Sequence, residues 1–173
     1  IINNIIETRR ASTEEHDDLL DMLLKAKYED GTSMTNTQLI DEILILFVAG
    51  HETTANALTF TLFLLANNKE ELNKAKSESV NLDNNTLAFE TLPKLNFIKM
   101  CVEESMRLYP SAWITDRVAL EDDVLGNYHI KKGTLIGISI YEMHRNINYW
   151  EDADKFQPER FSDKNKKKTA AYY

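Results

Sequence analysis

The stretch from Thr35 to Asn67, TNTQLIDEILILFVAGHETTANALTFTLFLLAN, constrains the fold more than any other part of the chain. Thr35 and Gln38 stand in capping-box spacing, so each side chain can satisfy a free backbone donor at the helix start. No proline follows within the stretch, and one helix of about eight turns, roughly 45 Å long, is the natural conformation. Apolar residues occupy every face from Ile43 to Val48 and again from Ala57 to Ala66. A helix that is hydrophobic all round is a buried one, so this helix is expected to be the buried spine of the fold. Its middle breaks the pattern. Ala49-Gly50-His51-Glu52-Thr53-Thr54 places a glycine, which costs about 1 kcal/mol in a helix interior, beside polar and ionisable side chains. An unpaired buried carboxylate costs more still. Breaches of local rules of this kind concentrate where function sits.

The apolar runs on either side of His51 and Glu52 fall short of the ~20 predominantly apolar residues that a membrane span needs. The reading is therefore a soluble core helix, with no membrane segment and no signal-peptide pattern near the start. A net charge of −8 leaves no basic face for nucleic acid. A single cysteine excludes an internal disulfide framework and fits a reducing, cytoplasmic setting. At 173 residues and 43% hydrophobic content, the chain has the size of one ordinary domain.

Ahead of the central helix, residues 1–11 read as the tail of a helix with Glu7, Arg9 and Arg10 exposed. Ser12 and Glu15 repeat the capping-box spacing and predict a second helix reaching about Tyr28, with Leu19, Leu20, Leu23 and Leu24 on its apolar face. Residues 69–80 predict a short charged surface helix. Residues 81–91 form a polar connection with one possible turn at Leu87–Phe89. Pro93 suits the first turn of the next helix, which carries Leu95, Ile98, Met100, Val102, Met106 and Leu108 and stops at Pro110. The period then changes. Residues 116–120, 128–130 and 134–141 alternate or are β-branched, with turn signals at Gly126-Asn127 and Lys132-Gly133, and predict a small antiparallel sheet. A short helical piece follows over 143–150, and the remainder is irregular and charged.

Three constellations carry chemistry. Glu52-Thr53 is an acid beside an alcohol, able to take protons from water and pass them to an oxygen ligand. Gly50 allows close approach to the helix backbone. The alternative is a buried polar pair serving its own turn, since a mid-helix threonine often bonds the carbonyl one turn back. Glu104 and Arg107 share a helix face and can pair, although Glu103 stands four before the same arginine and an ordinary surface pair is the other reading. Pro158-Glu159-Arg160-Phe161 is a short motif with no inherent chemistry.

Together and in this order the motifs strongly resemble the cytochrome P-450 family, the haem-thiolate monooxygenases. Ala49 to Thr54 meets the family pattern [AG]-G-x-[DE]-T-[TS]. Glu104 and Arg107 meet E-x-x-R, followed by Leu108-Tyr109-Pro110. Arg117, the stretch Met143-His144-Arg145-Asn146 with Tyr149-Trp150, and the P-E-R-F motif at 158–161 fit as well. The resemblance covers nearly the whole chain from about Asp17.

What the resemblance implies is a partial cytochrome P-450 fold, mainly α with a small antiparallel β-sheet, built around one long central helix. Residues 1–173 are then a single partial domain of a longer enzyme. Thr53 is implied to hydrogen-bond the dioxygen being activated, and Glu52 to relay protons for O–O cleavage. Ala49, Gly50 and Thr53 are implied to lie against haem b (iron protoporphyrin IX), where the helix often widens locally, and Arg117 to pair with a haem propionate. Glu104, Arg107 and Arg160 form a buried ion network. Val48, Trp113 and Ile114, within and beside the loop 111–115, line a pocket for a hydrophobic substrate such as a fatty acid or terpenoid. His51 is a neighbour of the pocket. The family's iron ligand is a cysteine in a glycine-containing loop that is expected beyond Tyr173, so no metal ligand is assigned here. Cys101 lies three residues before Glu104 and is read as a small buried hydrophobe.

The implied partners are dioxygen, the substrate, and a flavin or iron–sulfur donor carrying electrons from NAD(P)H. The lysines at 164 and 166–168 offer a docking patch for an acidic donor, or simply a solvated loop. A peroxide-using relative and a non-catalytic, haem-less helical scaffold are the competing functions. The intact Glu52-Thr53 pair argues against the first, and a parent lacking the ligand cysteine favours the second.

Overall fold

The computed structural model describes residues 1–80 and 89–165. It is mainly helical with small antiparallel sheets, and it divides into two compact units, Ile1–Glu52 and Thr53–Tyr173. Six α-helices are described: α1 (Ile2–Ala11), α2 (Leu19–Lys25), α3 (Asn36–Asn67), α4 (Lys69–Val80), α5 (Asn96–Leu108) and α6 (Ile140–Met143). Four strands lie between α5 and α6: β1 (Ile114–Val118), β2 (Asp123–Leu125), β3 (Tyr128–Ile130) and β4 (Leu135–Ser139). The turn suggested at Leu87–Phe89 falls mostly outside the described residues, as do Lys166 to Lys168.

In the first unit the capping box at Thr35 forms. The Gln38 side chain accepts from the Thr35 N–H at 3.0 Å, and the Thr35 hydroxyl accepts from the Gln38 N–H at 3.3 Å. The second capping-box match does not start a helix. Ser12 ends α1, and α2 begins only after Asp18, whose carboxylate accepts from the Asp21 N–H at 3.0 Å. Arg9 decides this outcome. Its guanidinium binds Asp18 through two hydrogen bonds of 2.8 and 2.7 Å and Asp21 through one of 2.7 Å. Arg9 is thus half-buried in an ion cluster rather than exposed, and its hydrogen bonds hold the Asp18 carboxyl down at about 2. The helix also stops earlier than Tyr28, because a turn with Gly31 at φ +81° pairs Lys27 with Ser33.

The 32-residue α3 is helical throughout, with no π-turn assigned around Gly50, and spans about 48 Å at the standard rise. It is not the buried spine that its composition predicts. Leu39 is buried in the first unit and Thr61, Leu64 and Leu65 in the second, but Ile45, Phe47 and Leu62 are each more than 60% exposed. Between them Ser111 touches α3 at Thr53 and Tyr109 at Phe60, and the other turns are largely uncovered among the described residues. By length and composition alone α3 meets the requirement for a membrane span, which the sequence reading denied.

In the second unit, Leu64, Leu65, Ala75, Cys101, Leu108 and Phe156 form one apolar cluster, and Trp150, Ala153 and Phe161 form another beside Met100. Pro93 sits inside a 3-10 turn (Phe89–Lys94) rather than opening α5. The start of α5 at Asn96 has no side-chain cap of its own, because the Leu95 side chain has no acceptor. Glu78 at the end of α4 supplies it, each carboxylate oxygen accepting at 2.8 Å from the N–H groups of Phe97 and Ile98. An anion at a helix N-terminus is favoured by the exposed donors and by the dipole.

The strands form two two-stranded antiparallel sheets rather than one. β1 pairs with β4 with Arg117 opposite Ile136, and β2 pairs with β3 through the Gly126-Asn127 turn, where Gly126 has φ +61°. Glu78→Ala should lower the stability of the folded chain by about 1–2 kcal/mol, the scale of a lost helix cap. Urea denaturation of the two proteins checks this, and an unchanged midpoint would show that water replaces the carboxylate without loss.

Candidate functional site

The most buried charges in the chain are Glu104 and Arg107, at 0% and 1% exposure. Their spacing of three on α5 puts both on one face, and that face meets the irregular segment 144–157. Arg107 Nε donates to Glu104 Oε2 at 2.7 Å and Nη2 to Glu104 Oε1 at 2.8 Å, a fork-on-fork pair. Nη1 donates to the carbonyls of His144 and Ala153, both at 2.7 Å, and Nη2 to the carbonyl of Lys155 at 3.2 Å. Glu104 Oε1 also accepts from the Gln157 N–H at 2.9 Å and lies 3.3 Å from Arg160 Nε. Arg160 in turn donates to the Asp152 carbonyl at 2.9 Å. Trp150 closes one side, its ring 5.0 Å from the Arg107 guanidinium. No sequence pattern singles out the carbonyls of residues 144, 152, 153 and 155, since every residue has one.

The P-E-R-F motif forms a 3-10 turn (Pro158–Phe161) whose Pro158 and Phe161 are buried and whose Arg160 faces Glu104. Glu159 faces the other way and accepts from Lys74 of α4 at 2.9 Å. The hydrogen bonds from Lys74 to Glu159 and Glu71 raise the lysine's pKa and keep it charged.

The polar middle of α3 is exposed, with Ala49, Gly50, Glu52 and Thr53 within little more than one turn. Spacings of three and four place Ala49, Gly50 and Thr53 on one face. A Cβ added to Gly50 meets nothing within 4 Å among the described residues, so the chain's own packing does not require this glycine. The face is thus small, flat and open, which suits the edge-on approach of a planar apolar cofactor. His51 stacks on Phe47 with ring centroids 5.7 Å apart. The carbonyl of Thr53 accepts from Ser111 Oγ at 2.8 Å, a contact that the sequence reading missed, having placed Ser111 only at the edge of a pocket loop.

Arg117 is exposed on β1 and donates to the Asp116 carbonyl at 2.6 Å, with Thr115 Oγ1 at 3.4 Å. No carboxylate among the described residues pairs with it, so its fork suits an acid from outside these residues. Val48 on α3, and Trp113 and Ile114 at the start of β1, are all exposed apolar side chains.

Cys101 is fully buried in the apolar cluster, and desolvation pushes its thiol up to about 12. It stays protonated at neutral pH, and only the thiolate ligates metal. No group of three or more potential metal-ligating side chains occurs among the described residues. Taken singly, the small exposed residues Ala49 and Gly50 and the Arg117 fork are of the kind that would suit the face and the carboxylates of a haem, whereas Cys101 does not fit its iron.

A family model described as Cytochrome P450 matches residues 1–173, and the chain belongs to the cytochrome P450 family. It is 40% identical over 158 residues to the chloroplastic carotene epsilon-monooxygenase of Arabidopsis thaliana, a match covering 90% of this chain and 29% of that one. It is 34% identical to the cyclooctat-9-en-7-ol 5-monooxygenase of Streptomyces melanosporofaciens, covering 93% of this chain and 36% of the relative. Among solved structures, the retinoic acid-bound cyanobacterial CYP120A1 superposes with a TM-score of 0.90 at 28% identity, covering 99% of this chain and 40% of that one. The chain thus spans about a third of the length of these curated relatives. The family consists of haem-iron monooxygenases.

Arg107→Ala should destabilise the second unit by about 3–5 kcal/mol, because it strands Glu104 without its partner. A thermal scan that showed a shift no larger than a surface substitution gives would refute this. The 173-residue chain loaded with haem should also give no thiolate band in a carbon-monoxide difference spectrum, and Cys101 should resist thiol reagents at pH 7 until the chain is unfolded.

Proposed function

We propose that this chain is part of a haem-dependent monooxygenase that oxidises a hydrophobic organic substrate. The observation that carries the proposal is the open face of α3, where Gly50 has no packing reason to be glycine and an acid and an alcohol stand one residue apart. Haem, when bound, supplies the iron chemistry by which a C–H bond, dioxygen, two electrons and two protons become C–OH and water.

The chain's own residues supply the rest. Ala49 and Gly50 offer a face without bulky side chains to the porphyrin, and the Arg117 fork takes a propionate. Thr53 Oγ donates a hydrogen bond toward the oxygen being reduced. Glu52, exposed to water, recovers a proton from solvent and restores the relay. Val48, Trp113 and Ile114 present apolar surface to the substrate, and burial of that surface on binding favours an apolar ligand. The names of three relatives mention carotene, cyclooctat-9-en-7-ol and retinoic acid, all hydrocarbon-rich molecules, which supports a substrate of the terpenoid or fatty-acid kind.

Electrons come from NAD(P)H through a flavin or iron–sulfur partner. A Bacillus subtilis relative, 36% identical over 168 residues, is named as a bifunctional cytochrome P450/NADPH–P450 reductase, which supports the flavin alternative. A cytoplasmic location is part of the proposal, suggested by the match to bacterial relatives from Streptomyces and Mycobacterium.

The test is made on the longer parent protein reconstituted with haem and a reductase. The parent should show the thiolate carbon-monoxide band and convert an apolar substrate. Thr53→Ala should keep that band and lower the product formed per NAD(P)H about 100-fold, the low end of a lost acid–base contribution. A parent without the band, or a Thr53→Ala variant with wild-type coupling, would overturn the proposal.

A further inference from the structure

We propose that Ser111 is a positioning residue for Thr53: its hydroxyl fixes the α3 backbone at the residue whose alcohol hands on the proton. This rests on the monooxygenase reading above. The hydroxyl donates to the Thr53 carbonyl at 2.8 Å across 58 residues of sequence. Inside an α-helix that carbonyl already accepts the N–H four residues on. A second donor from outside draws the oxygen off the helix axis, the distortion that bends helices where their carbonyls tilt outward. The Thr53 carbonyl therefore takes a donor from outside the helix, whereas Ala55 and Ala57 take their second donor from the helix's own Thr59 and Thr61.

The contact does not stand alone. Phe60 lies seven residues after Thr53, on the same face of α3. Its ring stacks on Tyr109 with centroids 4.4 Å apart and planes 4° apart. Tyr109 and Ser111 flank Pro110, whose ring fixes φ near −65° and leaves the connection little freedom. The Tyr109 ring is held in turn by Arg145, whose guanidinium lies 5.4 Å from its centroid and 3.9 Å from that of Tyr141. Two residues before Tyr109 is Arg107, buried and held by five hydrogen bonds.

A rigid path thus runs from the buried Glu104–Arg107 network through Tyr109 and Pro110 to Ser111, and ends on the Thr53 carbonyl. Phe60 on Tyr109 sets where α3 lies against this path, and Ser111 sets the local geometry at Thr53. Displacing a reacting group by about 1 Å costs on the order of 100-fold in rate, so a backbone held at this one residue is worth holding. Without the Ser111 hydrogen bond, α3 keeps its packing at Phe60, Leu64 and Leu65 but loses the fixed carbonyl of the relay residue itself.

The experiment compares wild type, Ser111→Ala and Ser111→Thr in the haem-loaded parent with its reductase. Three quantities are measured: product per NAD(P)H, hydrogen peroxide released, and amide exchange of the α3 peptide containing Thr53. Ser111→Ala should lower product per NAD(P)H about tenfold, a fraction of the cost of a full 1 Å displacement, with the missing electrons recovered as hydrogen peroxide. Amide exchange at residues 54–57 should rise about fivefold, the factor that one neutral hydrogen bond is worth. Ser111→Thr keeps the donor and should restore both. The thermal midpoint and the carbon-monoxide band should be the same in all three. An alanine variant that couples like wild type overturns the proposal alone, and a wild-type parent that forms no product overturns it together with the monooxygenase reading. Loss of haem and of the thermal midpoint in step with coupling makes Ser111 structural and also overturns it.

Discussion

The Arg107 guanidinium has five N–H donors, and all five find acceptors: two on Glu104 and one each on the carbonyls of His144, Ala153 and Lys155. Most of the second unit depends on this single planar group. Bringing a guanidinium and a carboxylate out of water costs more than their attraction returns unless every remaining donor is used. Here every donor is used, and three of them go to backbone. Residues 144–157 contain no strand and no helix longer than a turn, so their conformation has few ladder hydrogen bonds of its own. Arg107 supplies what a sheet neighbour would otherwise supply. A lysine in its place has the charge but not the fork, and cannot reach three carbonyls and a carboxylate from fixed directions.

From that anchor the chain continues in two directions. Toward the C-terminus, Glu104 gathers the Gln157 N–H and the Arg160 guanidinium, so the Pro158–Phe161 turn is set relative to α5 by charge while Phe161 and Trp150 are set by packing. Toward β1, the anchor reaches Thr53 by way of Tyr109, Pro110 and Ser111. α4 is tied in independently, its Lys74 to Glu159 and its Glu78 to the bare start of α5. The second unit is thus ordered largely by charged side chains meeting backbone. Its two apolar clusters are small by comparison.

Features written in local spacing were legible in the sequence. The Thr35–Gln38 box, the three-residue interval of Glu104 and Arg107, the Gly126 turn and the boundaries of α4 all follow from residues within one turn or one hairpin. Features decided by a distant partner were not legible. Ser12 and Glu15 satisfy the same capping-box spacing as Thr35 and Gln38, yet Arg9 draws Asp18 and Asp21 together and moves the helix start to Asp18. Pro93 is acceptable at a first helical position, but Glu78 brings cap donors together one turn later. The strands merged into one expected sheet because alternation fixes which residues are strand but not which strands pair. Among the site residues, the motifs named the side chains, while the carbonyls they bind and the Ser111–Thr53 contact have no signature in residue type.

The composition of α3 sets two demands against each other. Leu44 to Val48 are apolar on every side and Leu58 to Phe63 are interrupted only by Thr59 and Thr61, which calls for burial, whereas Glu52, in the proposed relay, would take protons from water. A carboxylate sealed in an all-apolar helix would be neutral or would need a buried partner, and in either state it relays poorly. Within this chain Glu52 stands in solvent while the last turns of the same helix are held in a core by Thr61, Leu64 and Leu65. Gly50 leaves open space beside the backbone, and within the second unit the Thr53 carbonyl and the Phe60 ring are held by Ser111 and Tyr109.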